Sequence, residues 1–179
     1  PLGFWHDADR TRYRSAYFDH FDHVWNHGDF VSINHRGGVK ILGRSDATLN
    51  PSGVRIGTAE LYRVVETIES VMDSLVIGRK IKDDEEIVLF VKLLENRFLD
   101  EALIKTIKQT IKQVCSPRHV PKDIYQISDI PYTLNGKKIE ILIKKIFSNP
   151  DIIPKSTTLA NPECLRAYQD IAKRYLVQS

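Results

Sequence analysis

Cysteine is scarce in this chain of 179 residues: there are two, Cys115 and Cys164. Two thiols cannot build a disulfide scaffold, and these lack metal-ligand spacing. They fit a reducing, cytoplasmic setting. Long apolar runs are missing too. The longest, Ile87 to Val91, falls far short of the roughly 20 residues that cross a bilayer. Neither sign of charge dominates. The formal net charge is +3, so a nucleic-acid role would need a local patch as well as a total. There is no internal repeat and no low-complexity stretch. The charged, His-rich N-terminus does not read as a secretion signal. The chain begins with Pro1 rather than Met and is read as a piece of something longer. What is present is ordinary: 42% hydrophobic and 27% charged residues, 9 glycines and 8 prolines. Disorder, collagen and coiled coil are poor readings of that balance.

Residues 1–19 are polar and aromatic without a clear period and read as irregular. Phe30, Val31 and Ile33 then precede Asn34-His35-Arg36-Gly37-Gly38, and Val39, Ile41 and Leu42 follow. Two apolar runs around a Gly-rich turn predict a β-hairpin. Asn50-Pro51-Ser52-Gly53 marks Ser45–Gly57 as a loop. Thr58 is expected to cap a helix that lines up Leu61, Val64, Val65 and Ile68. A second hairpin runs from Leu75-Val76-Ile77-Gly78 through a charged turn to Ile87–Leu94. Asp100 begins the strongest helix. Leu103, Ile104, Ile107, Ile111 and Val114 form its expected buried stripe, with Lys105, Lys108 and Lys112 outside it. That helix must end before Pro117. Ile124–Ile127 reads as a short strand and Pro131–Gly136 as a loop. A further helix carries Ile139, Leu142, Ile143 and Ile146 inward. Asn161-Pro162 opens a terminal helix with Leu165, Tyr168, Ile171, Ala172 and Tyr175 inside, and Ser148–Ala160 links the two. Hairpins mixed with helices argue for an α+β fold, with a boundary near Arg44–Asp46.

Two polar, glycine-containing segments stand out, Gly43–Gly57 and Pro131–Glu140. Glycine lets backbone approach a ligand closely. Arginine offers a planar fork to phosphate or ribose oxygens. Lysine beside glycine at a loop–helix junction is a mobile charge near helix N–H groups. On residue physics alone an anion or nucleotide site stands beside a plainer reading, two surface turns with solvated charges. The second segment is not a P-loop, because the four residues and glycine ahead of the Gly-Lys are missing.

Four motifs in order carry a resemblance: His27-Gly28-Asp29, Gly43-Arg44-Ser45-Asp46, Gly53-Val54-Arg55-Ile56-Gly57 and Pro131-x-Thr133-x-Asn135-Gly136-Lys137. Together they resemble the C-terminal motifs of the adenylate-forming acyl-CoA synthetases. Pro1-Leu2-Gly3-Phe4-Trp5, Asn50-Pro51-x-Gly53-Val54-Arg55, Pro131-Tyr132-Thr133-Leu134 and Leu159-Ala160-Asn161-Pro162 are similar to the branch of that family that acts on acetoacetate. The resemblance covers nearly the whole chain. It implies a reaction of acetoacetate, ATP and coenzyme A, with Mg2+ held mainly by a part not in this sequence. It also implies two domains: 1–45 as the end of a large adenylation domain, and 46–179 as a small mobile lid with a terminal helical extension. Another short-chain acid, acetate or propionate, is the alternative substrate.

The roles implied are specific. Asp29 corresponds to the aspartate that accepts hydrogen bonds from both ribose hydroxyls, which a carboxylate suits because it has two oxygens and no donor. Arg44 also holds the ribose, and Asp46 is the hinge. Ser52 and Gly53 face coenzyme A, Arg55 the α-phosphate. Lys137 bridges the acid's carboxylate and the α-phosphate, where it relieves the repulsion between two anions. Lys138 is a neighbour, and Lys108 could reach coenzyme A phosphates or simply be solvated. Many relatives have Thr-Gly-Asp where this chain has His27-Gly28-Asp29, and His27 is read as filling space. No phosphate loop, aromatic-Gly-x-Thr-Glu segment or acyl pocket is found, so the chain alone is expected to be inactive.

Other readings compete. His20, His23 and His27 would share one face if their stretch were helical, with Asp19 and Asp22 beside them, a metal-like arrangement. Gly28 and the aromatics Phe18, Phe21 and Trp25 favour a packed, turning segment, and no metal site is assigned. Phe4, Trp5, Tyr13, Tyr17, Phe18 and Phe21 are expected to pack on a part not in the sequence rather than stack on bases. A basic module is the rival from another class, with lysines 105, 108, 112, 137, 138, 144 and 145 on nucleic acid.

Overall fold

The structure is a computed structural model that describes residues 2–45, 47–82, 84–153 and 158–178. The chain divides into two compact units, Pro1–Asp46 and Ala47–Ser179. Both mix helix and strand, and the fold is α+β.

In the first unit the reading of residues 1–19 as irregular is corrected, because Thr11–Tyr17 is a helix, α1. Seven residues are too few to display a period or to stand alone as a helix. Side-chain oxygens begin it instead. The Asp7 carboxylate accepts from the backbone N–H groups of Arg12 at 2.9 Å and Tyr13 at 2.8 Å, and Asp9 accepts from that of Thr11 at 3.2 Å. Rings then hold it. Phe4, Tyr13, Tyr17 and Phe18 meet one another at centroid separations of 5.3–5.9 Å, and Trp25 stacks on Tyr17 at 5.7 Å. Four of the aromatics expected to pack on a part not in the sequence thus also meet one another, while Trp5 and Phe21 stay exposed. Residues 18–24 are turns and bends, so His20, His23 and His27 do not share a helical face.

The first hairpin pairs β1 (Asp29–Ile33) antiparallel with β2 (Val39–Arg44). Asn34 closes its turn: its side-chain oxygen accepts from the N–H groups of Arg36 and Gly38, each at 2.9 Å. A bulge between Phe30 and Val31 shifts the register, and Asp29 ends opposite Arg44.

The second unit is built on one sheet with strand order β3-β4-β5: β3 (Val71–Ile81), β4 (Asp84–Leu93) and β5 (Asp123–Gln126). β3 and β4 are antiparallel, whereas β4 and β5 are parallel, and the parallel pair is joined through a helix as parallel strands require. Successive side chains of β3 and β4 enter opposite cores. Leu75, Ile77, Val88 and Phe90 face α4 (Glu140–Ser148) and α5 (Leu165–Gln178). Val76, Ile87, Leu89 and Val91 pack with α2 (Thr58–Val65) and α3 (Glu101–Val114). Covering both faces explains why Ile87–Val91 is an unbroken apolar run rather than an alternating one.

The helices refine the expectations at their ends. Asp100 caps α3, accepting from the Leu103 N–H at 2.7 Å. The stripe is shorter than read: Ile107 and Ile111 are fully buried, but Val114, at the last turn, is 66% exposed. Gly57, not Thr58, is the cap residue of α2, and Thr58 is buried within the first turn. Pro162–Cys164 forms a 3₁₀ turn ahead of α5. No helix among the described residues is long and apolar enough to cross a membrane.

Candidate functional site

The bulged hairpin places the first group of polar residues. Asp29 and Arg44 are register partners, and an Arg44 guanidinium nitrogen lies 3.5 Å from Asp29 Oδ1 and donates to the His27 carbonyl at 3.2 Å. His27 Nδ1 stands 2.6 Å from Asp29 Oδ2. The reading of His27 as space-filling is thereby corrected. Gly28 sits between them at φ +81°, a conformation that favours glycine, and a Cβ there would push aside the Arg44 guanidinium 2.9 Å away. The Ser45 N–H and hydroxyl both donate to the Gly28 carbonyl, at 2.8 and 3.1 Å. Asp46, read as a hinge, lies outside the described residues.

In the second unit, Pro51–Gly53 forms a 3₁₀ turn. Ser52 takes the left-handed conformation at φ 50°, ψ 38°, which is costly for a residue with a Cβ. Asp84 compensates, accepting from the Ser52 N–H at 2.6 Å and its hydroxyl at 3.2 Å. Hydrogen bonds from the Glu85 and Ser52 N–H groups hold the Asp84 carboxyl below its usual range. Gly53 follows at φ +77°. Glu85 fastens the other side of the turn, accepting from the Asn50 N–H at 2.8 Å and pairing with Lys144 at 2.7 Å. Glu85 can lie there because Gly78, diagonal to it on the facing strand, has no side chain; a Cβ at Gly78 would overlap the Glu85 carboxylate. Gly78→Ala therefore displaces Glu85 and loses about 1–2 kcal/mol of stability. The same change made in a Glu85→Ala background is close to neutral, a coupling that urea titration of the four proteins measures. Ser52, Gly53 and Arg55 all present exposed positions.

The two adjacent lysines have opposite environments. Lys137 is exposed, on a turn closed by the Gly136 N–H donating to the Thr133 carbonyl at 2.9 Å, with Gly136 at φ +71°. Its own N–H donates to Thr133 Oγ1 at 3.1 Å. Lys138 points inward. Its Nζ pairs with Glu66 at 2.6 Å and Asp73 at 2.7 Å, donates to the Ser74 carbonyl at 2.7 Å, and rests 4.1 Å from the Tyr62 ring centroid. Tyr132 donates to Asp73 at 2.7 Å and Tyr62 to Glu140 at 3.0 Å. Burial first, then these carboxylates, push both phenols up, so they stay neutral donors. Asn161 pins the loop from behind. Its side-chain oxygen accepts from the Tyr132 N–H at 3.0 Å, and its amide donates to the Ile130 carbonyl at 2.8 Å and to Asp129.

Lys138, Glu66, Asp73, Asn161 and His27 are the residues that sequence reasoning missed as supports of the site. One signal was available. Neighbouring residues of an extended segment point opposite ways, so one of two consecutive lysines had to turn inward.

No protein-family model matches the chain. Acetoacetyl-coenzyme A synthetase of Rhizobium meliloti is 49% identical over 92% of this chain, and acetoacetyl-CoA synthetase of Gallus gallus is 45% identical over 96%. Among solved structures, acetoacetyl-CoA synthetase from Streptomyces lividans superposes with a TM-score of 0.86 at 38% identity, covering 98% of this chain. Over nearly its whole length the chain is similar to acetoacetyl-CoA synthetases. It spans about a quarter of these relatives' length, 25% and 26% of the two sequences and 26% of the structure, and matches their C-terminal part. In acetoacetyl-CoA synthetase terms, the polar segments that stand out in the sequence are the ones the fold displays: a carboxylate–guanidinium pair on the hairpin, a strained Ser-Gly turn, and a lysine raised on a braced loop.

Proposed function

We propose that the full-length protein joins acetoacetate to coenzyme A at the expense of ATP, giving acetoacetyl-CoA, AMP and pyrophosphate. The likeness to acetoacetyl-CoA synthetases over nearly the whole chain carries this reading. In the first half-reaction a carboxylate oxygen of acetoacetate bonds to the α-phosphorus, and the bond to the bridging oxygen of pyrophosphate breaks. Asp29 and Arg44 hold the ribose, and Arg55 faces the α-phosphate. Lys137 is the mobile cation that neutralises attacking and attacked oxygens together and sets their geometry. In the second, the thiol of coenzyme A bonds to the acyl carbon, loses its proton, and AMP departs.

Residues 46–179 act as a lid that turns about Asp46, withdrawing Lys137 and presenting Ser52-Gly53 to coenzyme A. The opposite settings of Lys137 and Lys138 support this: the loop is anchored by one lysine and leaves the other displayed. Residues 1–45 are the end of the large domain, and two free cysteines accord with a cytoplasmic setting. Among the described residues no group of three or more His, Cys, Asp or Glu side chains could hold a metal. The basic nucleic-acid module is the weaker reading, because Lys138 and Lys144 are committed to carboxylates and Lys108 donates to the Lys122 carbonyl at 2.9 Å.

A comparison of acids with the full-length protein tests the substrate. The value of kcat/KM for acetoacetate is expected to exceed those for acetate and propionate. If either of these wins, the substrate assignment is wrong and only the acyl-CoA synthetase chemistry survives.

A further inference from the structure

We propose that His27 is a positioning residue for nucleotide binding: its ring N–H holds the Asp29 carboxylate so that both oxygens keep a free lone pair for the ribose diol. The proposal rests on the assignment of Asp29 to the ribose. An ionised carboxylate only accepts hydrogen bonds and has about four lone-pair sites. His27 Nδ1 lies 2.6 Å from Oδ2 and therefore carries the proton of that bond, while an Arg44 nitrogen lies 3.5 Å from Oδ1. One donor on each oxygen fixes the plane of the carboxylate and leaves one outward acceptor on each. Two neighbouring hydroxyls of a ribose need that arrangement.

Distance makes His27 a better clamp than Arg44. The two side chains are similarly exposed, 63% and 55%, around an Asp29 that is 21% exposed, but the His27 bond is short at 2.6 Å and the Arg44 contact long at 3.5 Å. The His27 ring is itself placed by Trp25, edge to face at 5.1 Å. Trp25 in turn stacks on Tyr17 of α1. A side chain at Gly28, between His27 and Asp29, would take a strained φ of +81° and push the Arg44 guanidinium aside. The aromatic cluster of residues 4–25 thus ends in a ring nitrogen on the ribose carboxylate, a link between the N-terminal packing and the nucleotide that no single motif contains.

The test uses the full-length enzyme, numbered as here, and calorimetric titration with ATP and with 2′,3′-dideoxy-ATP, which lacks both hydroxyls. His27→Phe keeps a ring against Trp25 but has no donor. It is expected to weaken ATP roughly tenfold, about the value of one charge-assisted hydrogen bond, and to leave dideoxy-ATP unchanged. His27→Asn puts an amide N–H near the position of Nδ1 and is expected to restore most of the preference. Unchanged dideoxy-ATP binding also reports that each variant is folded. If His27→Phe weakens both nucleotides equally, or keeps the wild-type ratio while Asp29→Ala abolishes it, His27 does not position the carboxylate and the Asp29 assignment stands. If Asp29→Ala itself keeps the ratio, the ribose assignment fails and the proposal with it.

Discussion

Lys137→Ala in the full-length enzyme is expected to lower the rate of acyl-adenylate formation about 10²–10³-fold, the usual effect of removing one positioned donor from a developing charge. Thioester formation from pre-formed acetoacetyl-adenylate is expected to keep its rate, because the lysine has been withdrawn by then. The two steps are separable by following pyrophosphate release and, independently, coenzyme A consumption with supplied adenylate. Equal losses in both would contradict the swinging-lid account. The change should leave stability within about 0.5 kcal/mol, as expected at an exposed position, since the described contacts of Lys137 in the loop run through its backbone.

The neighbouring residue should behave in the opposite way. Lys138→Ala is expected to cost about 3 kcal/mol of stability in the 179-residue chain, measured by urea denaturation. The cost comes less from the lost attraction than from what stays behind. Glu66 and Asp73 would face each other across the vacated place, and the Ser74 carbonyl would lose its donor. Lys138→Met keeps the unbranched stem but removes the ammonium that lies over the Tyr62 ring, and should recover only the packing part. A loss below about 0.5 kcal/mol would mark the cluster as a solvated surface network instead. Paired with the first prediction, this makes two consecutive lysines a test of one idea: the first is chemistry, the second is its foundation.

Much of the second unit was legible because periodicity reports burial directly. The β3–β4 hairpin, α3 with its Asp100 cap and the α5 stripe follow from apolar spacing, and the observed elements agree with it. Local cues failed where another residue's side chain decided the outcome. The helix at Thr11–Tyr17 is begun by Asp7 and Asp9 and held by rings, which no period reveals. Val114 continues the α3 stripe in sequence, yet it lies at the helix's last turn and is exposed.

Sequence alone determined the chemistry on offer. It holds an aspartate and an arginine flanking a hairpin, a Ser-Gly turn after Asn-Pro, and a Gly-Lys-Lys loop, since residue type and order are all that such motifs require. Tertiary structure decided how each is held. It put Arg44 opposite Asp29 through a bulge, laid Glu85 over Gly78, set His27 on the carboxylate, and sent Lys138 rather than Lys137 into the protein. Those choices join residues far apart in sequence, Glu66 and Lys138 by 72 positions. Distance along a chain carries no trace of which distant carboxylate folding will bring to a given ammonium.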